Sequence, residues 1–225
     1  MTTEVNFNLI ERSFVNYILS ITGPSQMQDK ERNAKLQTIK QCIQSALVED
    51  AENYDFHIFC FGSYSFKSYH QNSDIDITIV CEDKKTKKLL SPYTEDFLNK
   101  IFHKIKQFIE NFFHEKSIEG STDLINDDVR LLKVNYEGVS FDISFHNFPG
   151  LFKLIFMHYL ENNFLNSYFY KRTILLIKAF CFYEATILGS NVAALGSYAL
   201  EVLVIYMFNL YPEKLTSELA AFFAF

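Results

Sequence analysis

The chain has 225 residues, of which 48% are hydrophobic, and it carries a formal net charge of −6 at pH 7. This composition supports one large core or two smaller ones and excludes a disordered chain. The negative charge argues against extensive non-specific contact with nucleic-acid phosphates.

The 4 cysteines show no Cys-x-x-Cys spacing, and most lie in apolar runs. We therefore expect reduced core thiols in a cytoplasmic or nuclear protein, and neither a disulfide framework nor a zinc site. The first residues lack a basic segment followed by an apolar one, so no secretory signal is expected. Polar residues interrupt the most apolar region, Ala185 to Leu210, and we expect no membrane partner.

In chain order, two helices are predicted first, over Phe7–Ile21 and Asp29–Asp50, because Gly23-Pro24 ends the first of them. A buried strand from His57 to Phe61 follows and stops at Gly62-Ser63. Glycine lets the backbone approach a ligand closely, and a serine with free backbone N–H groups can hold phosphate oxygens. A Gly-Ser pair by itself more often marks an ordinary turn.

The next strand carries two acids, Asp74 and Asp76, one residue apart. Because side chains alternate between the faces of a strand, both carboxylates are predicted on one face, about 7 Å apart. Carboxylates at this spacing repel one another, and a divalent cation between them relieves the repulsion. The alternative is that both acids face water on an amphipathic strand.

A basic loop, "EDKKTKK", precedes a predicted helix from Glu95 to His114, whose apolar and aromatic stripe, Phe108 included, is expected in the core. A hairpin is then predicted from Val129 to Tyr136 and from Val139 to Phe145. Asp142 falls on the face opposite the apolar residues of its strand, where a solvent-facing acid is the simplest interpretation.

From Leu151 onward the pattern is helical, with a turn at Leu188 to Ala194. Lys178 lies on an apolar helical face and needs a counter-charge, which a phosphate or an internal acid such as Glu201 could supply. Ser197 and Tyr198 begin a later helix, where N–H groups favour anions and an exposed ring could stack on a base. A cap serine and a core tyrosine are the simpler interpretation.

The stretch "FGSYSFKSYHQNSDIDITIV", with Asp142 on a later strand, resembles the polymerase-β-type nucleotidyltransferase superfamily. The resemblance implies an α+β, bilobed fold: a small mixed sheet with helices facing an all-helical central domain across a nucleotide cleft. Residues 1–54 would be N-terminal helices, 55–150 the catalytic domain and 151–225 an incomplete helical domain. It also implies two Mg²⁺ or Mn²⁺ ions held by Asp74, Asp76 and Asp142.

The stretch "RTILLIKAFCFYEA…LGSYALEVLVIYMF" is similar to the RNA terminal nucleotidyltransferases, the poly(A) polymerase and terminal uridylyltransferase branch. In that branch the residues matching Lys178 and Ser197 contact the triphosphate, and the one matching Tyr198 stacks on the base. The resemblance further implies nucleotide contacts from Gly62, Ser63 and Ser73. A plant group of the superfamily, with a poly(A) polymerase/oligoadenylate synthase-type substrate-binding domain, looks still more similar.

The activity implied is template-independent addition of AMP or UMP from an NTP to an RNA 3′ end, with release of pyrophosphate. Phe182 stands where many uridylyltransferases have a second lysine, and Lys153 where many members have a ribose-contacting asparagine. The chain also ends before the family's later nucleotide-recognition loop. Because the chain is net negative with few clustered cations, a basic RNA-binding partner or a missing region is expected to grip the RNA, and no DNA is expected. The alternatives are an inactive RNA-associated scaffold and transfer to a non-RNA acceptor.

Overall fold

The structure, a computed structural model, describes residues 7–91, 93–126, 130–163, 167–184, 187 and 196–225. The chain divides into two compact units. The sheet unit consists of Gln26–Phe66 and Asn72–Phe156, and the helical unit of Met1–Ser25, Lys67–Gln71 and Met157–Phe225. The turn predicted at Leu188 to Ala194 lies outside the described residues.

A mixed sheet organises the sheet unit. Its strands are β1 (Tyr54–Phe61), β2 (Ile75–Asp83), β3 (Lys88–Leu89), β4 (Gly120–Asn126), β5 (Arg130–Tyr136) and β6 (Val139–Phe145). In the described residues the sheet is 6-stranded, in the order β1-β2-β6-β5-β4 with β3 beside β2. β2 and β6 are parallel, and the other pairs are antiparallel. The predicted mixed sheet and the β5–β6 hairpin are confirmed, whereas β4 was not predicted.

Three helices accompany the sheet: α2 (Gln26–Ala46), α3 (Gly62–Phe66) and α4 (Glu95–Lys116). The Thr94 hydroxyl caps α4 by accepting a hydrogen bond from the Phe97 amide. Ile101, Phe102 and Ile105 of α4 are completely buried in the core of this unit. Phe108, predicted to be core, is 38% exposed, because the stripe is wider than the surface that α4 buries.

The helical unit contains α1 (Phe7–Thr22), the C-terminal part of α5 (Phe148–Asn163), which crosses the boundary between the units, α6 (Ser167–Ala179), a π-helical turn (Phe180–Glu184), α7 (Ser197–Leu210) and α8 (Glu218–Ala224). α6 lies at its centre, in contact with α1, α7 and α8. Tyr170 and Ile174 of α6 are accordingly completely buried. Across the described residues, no helix combines the length and the apolar character needed to cross a membrane.

Candidate functional site

A row of charged side chains crosses the middle of the sheet. Asp76 on β2 is the register partner of Asp142 on β6, and Asp142 is the register partner of Lys133 on β5. Register partners share a face of the sheet, so these three side chains lie in one row on that face. We call it the carboxylate row after its two aspartates, although Lys133 stands at one side of it. The Lys133 ammonium lies 3.2 Å from Oδ1 of Asp142. The parallel pairing of β2 and β6 thus brings two of the predicted carboxylates together.

Gly62 lies next to the Asp76 carboxylate, at the end of the row nearest β1. It follows β1 directly and has a φ of +69°, a left-handed conformation that L side chains rarely adopt. A Cβ at this position would lie 1.9 Å from Oδ2 of Asp76. Only glycine therefore allows the β1–α3 turn, with half-buried Ser63 after it, to approach the Asp76 carboxylate so closely.

The carboxylate row is electrostatically strained. Burial, together with the charges of Asp142 and Asp74, raises the pKa of Asp76 to about 7, whereas Lys153 and Lys133 oppose the rise. Burial also raises the pKa of Asp142, against the effect of Lys133. A site that raises the pKa of an acid in this way favours a proton or another cation on it.

Asp74 comes directly before β2 and is exposed, so it lies outside the strand on which it was predicted. Its charge acts on both other carboxylates. Nevertheless, in the part of the chain that the structure describes, no three His, Cys, Asp or Glu side chains converge closely enough to hold a metal ion. The donor chemistry still fits Mg²⁺ or Mn²⁺, because the oxygens are hard and mutually repelling. The buried Oδ1 of Asp142 accepts no well-aligned hydrogen bond, although the Lys133 ammonium lies 3.2 Å from it.

Ser73, a predicted nucleotide contact, is half-buried beside this site. Its carbonyl oxygen accepts a hydrogen bond from the Arg32 guanidinium of α2. The sequence analysis did not identify Arg32, because Arg32 and Ser73 are far apart in the chain and no sequence motif links them. It also missed Lys133, although the two-residue turn of the predicted hairpin already placed Lys133 opposite Asp142.

Lys178, in the helical unit, is paired internally. Its ammonium lies 2.7 Å from a Glu201 carboxylate oxygen, and both side chains are only 3% exposed. The ammonium also donates a hydrogen bond of 3.0 Å to the Ser68 carbonyl, and the Ser68 hydroxyl donates one of 3.2 Å to Glu201. The internal pair with Glu201 that the sequence left open is therefore present. A triphosphate contact by Lys178 stays a prediction.

Ser197 and Tyr198 occupy the first turn of α7. Gly196 is the N-cap residue and supplies no side-chain capping bond. Ser197 is exposed, and the Tyr198 side chain is 49% exposed, so Tyr198 is not the core residue that the simpler interpretation required. Their contacts with a nucleotide stay predictions.

The geometry agrees with the sequence families that the chain matches. Residues 14–160 match the model of the family described as poly(A) RNA polymerase, mitochondrial-like, central palm domain, and the chain belongs to this family. Residues 165–225 match the PAP/OAS1 substrate-binding domain. These matches confirm the resemblance to the RNA terminal nucleotidyltransferase branch. A comparison with curated proteins found no matching sequence.

Solved structures share the fold. A cytoplasmic RNA terminal U-transferase has a TM-score of 0.64 at 19% identity, over 87% of this chain and 52% of that one. The Cid1 poly(U) polymerase with MgGTP bound has a TM-score of 0.64 at 18% identity, over 88% and 56%. The GLD-2/RNP-8 complex has a TM-score of 0.67 at 13% identity, over 94% and 63%. At such identities the likeness establishes the fold, and this chain spans only about half to two thirds of each matched chain.

Proposed function

We propose that this chain carries the catalytic site of a template-independent RNA 3′-terminal nucleotidyltransferase, which adds AMP or UMP from an NTP and releases pyrophosphate. The observation that carries the proposal is the pairing of Asp76 with Asp142 across β2 and β6, beside the left-handed Gly62. Membership of the poly(A) RNA polymerase family supports the reaction type. The Cid1 and U-transferase structures share this fold and support an RNA acceptor.

In the proposed reaction, the 3′-hydroxyl oxygen of the acceptor attacks the α-phosphorus of the NTP. The bond between that phosphorus and the oxygen bridging to the β-phosphate breaks, and pyrophosphate leaves. We assign the Asp142 carboxylate to take the hydroxyl proton, because it lies beside Asp76 on the face of the sheet that carries the proposed site. Gly62 and Ser63 would position the phosphates through the β1–α3 turn, with Ser73 nearby.

Asp74, Asp76 and Asp142 are the proposed ligands of Mg²⁺ or Mn²⁺. Asp76 and Asp142 already share one face of the sheet, and Asp74 would complete the set by turning its exposed side chain toward them. When bound, the metal supplies positive charge that makes the acceptor hydroxyl more acidic and stabilises the charge that develops on the phosphates.

The proposed nucleotide contacts in the helical unit are Lys178, Ser197 and Tyr198. Ser197 and Tyr198 are exposed, as a contact with nucleotide requires. Lys178 would have to share its ammonium with Glu201, because that pair is buried.

An inactive RNA-associated scaffold is the second candidate function. The burial of Lys178 against Glu201 favours it, since that ammonium is already neutralised within the protein. The repulsion among Asp74, Asp76 and Asp142 favours the enzyme. Carboxylates with perturbed pKa values cluster at catalytic sites, and an inactive scaffold does not require them.

One assay separates the two functions. The protein is incubated with each labelled NTP, Mg²⁺ or Mn²⁺ and an RNA primer, and the products are resolved by length. We expect 3′ extension with ATP or UTP. Absence of extension under every condition, by folded protein, would support the scaffold, and label on a non-RNA acceptor would redirect the proposal to that acceptor.

We also propose that a basic partner or a further region supplies RNA affinity in the cytoplasm or nucleus. The negative net charge of this chain supports such a need. The GLD-2 structure, which was solved as a complex with RNP-8, is a precedent within the same fold.

A further inference from the structure

We propose that Arg32 of α2 is a positioning residue for the candidate active site, which it serves by holding the Asp74 segment against the β1–α3 turn. The inference rests on the proposed function, because it takes Asp74 as a metal ligand and Gly62-Ser63 as a phosphate-binding turn of the same site. Arg32 itself would touch neither metal nor nucleotide.

The first contact of Arg32 is with the Asp74 segment. The Arg32 side chain is buried, with 5% of its surface exposed, and its Nη2 atom donates a hydrogen bond to the Ser73 carbonyl. That carbonyl belongs to the peptide group joining Ser73 to Asp74. A hydrogen bond from a permanently charged, planar guanidinium therefore fixes the plane of this peptide and with it the direction in which Asp74 leaves the backbone.

The second contact of Arg32 is with the segment that follows Gly62-Ser63. The guanidinium carbon lies 5.8 Å from the centroid of the Tyr64 ring, within the range of a cation–π interaction. Tyr64 comes directly after Ser63 in α3, and its side chain is 5% exposed. One side chain of α2 thus contacts both sequence segments that the proposed site needs.

The path of the chain explains why such a contact matters. After α3 the chain passes into the helical unit at Lys67–Gln71 and re-enters the sheet unit at Asn72. Ser73 is the second residue after this re-entry, and β2 begins only at Ile75. The register pairs of β2 begin at Ile75, so the Ser73–Asp74 peptide lies just outside them, where the Arg32 guanidinium donates its hydrogen bond.

The test compares Arg32→Met and Arg32→Lys with the wild-type protein and with Lys35→Met. Lys35 is a matched control because it is another buried cation on the same face of α2, but it pairs with Glu31 at 2.6 Å and Glu137 at 3.4 Å, away from Ser73. Two readouts other than activity are measured: hydrogen exchange of the backbone amides of residues 72–76, and Mn²⁺ affinity by calorimetry.

We expect Arg32→Met to exchange these amides faster and to bind Mn²⁺ about tenfold more weakly, since partners that orient metal ligands are typically worth about 10- to 100-fold in metal affinity. Arg32→Lys, which keeps the charge without the fork of donors, should lie between Arg32→Met and wild type. Lys35→Met should lower the melting temperature and change neither readout.

Wild-type exchange and Mn²⁺ affinity in a folded Arg32→Met protein would overturn the proposal, and so would equal changes in Lys35→Met. If Arg32→Met does not fold, Arg32→Lys decides by the same two readouts. A wild-type protein that extends no RNA would overturn the proposed function instead, while the exchange of residues 72–76 would still decide whether Arg32 orders this segment.

Discussion

Asp142 lies in the middle of the carboxylate row, between Asp76 on β2 and Lys133 on β5. We expect Asp142→Asn to keep the fold and to lower primer extension by more than about 100-fold, because even indirect partners of a metal are worth about 10- to 100-fold. The amide keeps the shape of the carboxylate and removes the charge that would hold the metal and accept the proton.

The matched control for Asp142→Asn is Asp123→Asn. Asp123 on β4 is the register partner of Lys133, at the far end of the same row, and it is exposed. Extension and melting temperature are measured for both variants. Near-wild-type extension by Asp142→Asn would rule out the three-carboxylate assignment.

Lys178 and Glu201 neutralise each other in a buried site. Lys178→Met alone should cost about 3–5 kcal/mol of stability, because it leaves the Glu201 carboxylate buried and unpaired. The double variant Lys178→Met/Glu201→Gln should recover most of this loss, since the amide oxygen can still accept the hydrogen bond from Ser68. Chemical denaturation measures both effects.

The double variant also tests the proposed nucleotide contact, because it lacks the ammonium and is expected to fold. We expect it to show a raised KM for NTP or a lowered kcat in primer extension. Wild-type kinetics per folded molecule would remove Lys178 from the nucleotide contacts and leave it a purely structural role.

At the scale of elements, the turn from β1 into α3 depends on glycine for two reasons. Gly62→Ala should lose about 1–2 kcal/mol from the left-handed backbone alone. It should also displace the Asp76 carboxylate and abolish primer extension, since the new Cβ would overlap Oδ2 of Asp76.

Gly138→Ala separates these two effects. Gly138, in the β5–β6 turn, has a φ of +79°, and a Cβ there would meet nothing within 4 Å. We expect Gly138→Ala to lose stability and keep activity per folded molecule. Primer extension and denaturation curves are measured for both variants. Equal extension per folded molecule by Gly62→Ala and Gly138→Ala would show that Gly62 is needed for its backbone conformation and not for the space beside Asp76.

The β2–β6 pairing also makes stability depend on pH. The pKa of Asp76 is raised from its ordinary 3.8 to about 7 by burial and by the neighbouring carboxylates, so the folded protein binds a proton that the unfolded chain has released. The stability that this proton contributes is complete below about pH 4 and is lost as the pH rises through about 7.

The metal-free wild type should therefore lose more melting temperature between pH 5 and pH 8, chosen as roughly the window of this titration, than Asp76→Asn does. Mn²⁺ should restore wild-type stability at the higher pH, because the metal takes the place of the proton. His70 contributes in the opposite direction, since burial lowers its pKa to about 4, but its effect cancels in the comparison. Identical pH profiles would contradict the coupling of the carboxylates.

At the scale of the whole molecule, charge limits RNA affinity. The net charge is −6, and two lysines of the basic loop, Lys84 and Lys87, each lie 3.4 Å from an oxygen of Asp55. We therefore expect weak RNA binding with a shallow salt dependence, which fluorescence anisotropy over a salt series measures. We also expect the primer assay to show short or distributive extension. Asp55→Asn, which removes the carboxylate that both lysines pair with, should strengthen binding slightly. Sub-micromolar affinity at physiological salt with a steep salt slope would reveal an RNA-binding surface that we have missed.

Sequence-based prediction succeeded for elements with local signals and failed for a strand that depends on its neighbour. Helices α1 and α4 and the β5–β6 hairpin agree with prediction within about two residues, because helical periodicity and turn residues are local signals. β4 escaped prediction, since "GSTDLIN" is polar and contains glycine, both of which weaken a strand signal. Its strand conformation comes from pairing with β5.

The sequence by itself determined that β1 stops at Gly62, that Asp76 lies on β2 and that Asp142 lies on β6, because each depends on a handful of neighbouring residues. Only the tertiary structure decided that Asp76 lies beside Asp142, that Glu201 neutralises Lys178 and that Arg32 holds the Ser73 carbonyl. These contacts join segments far apart in the chain. A buried charge could pair with any of several opposite charges, and a strand edge could pair with any of several strands. Which of them lies close enough is decided by the packing of the whole unit.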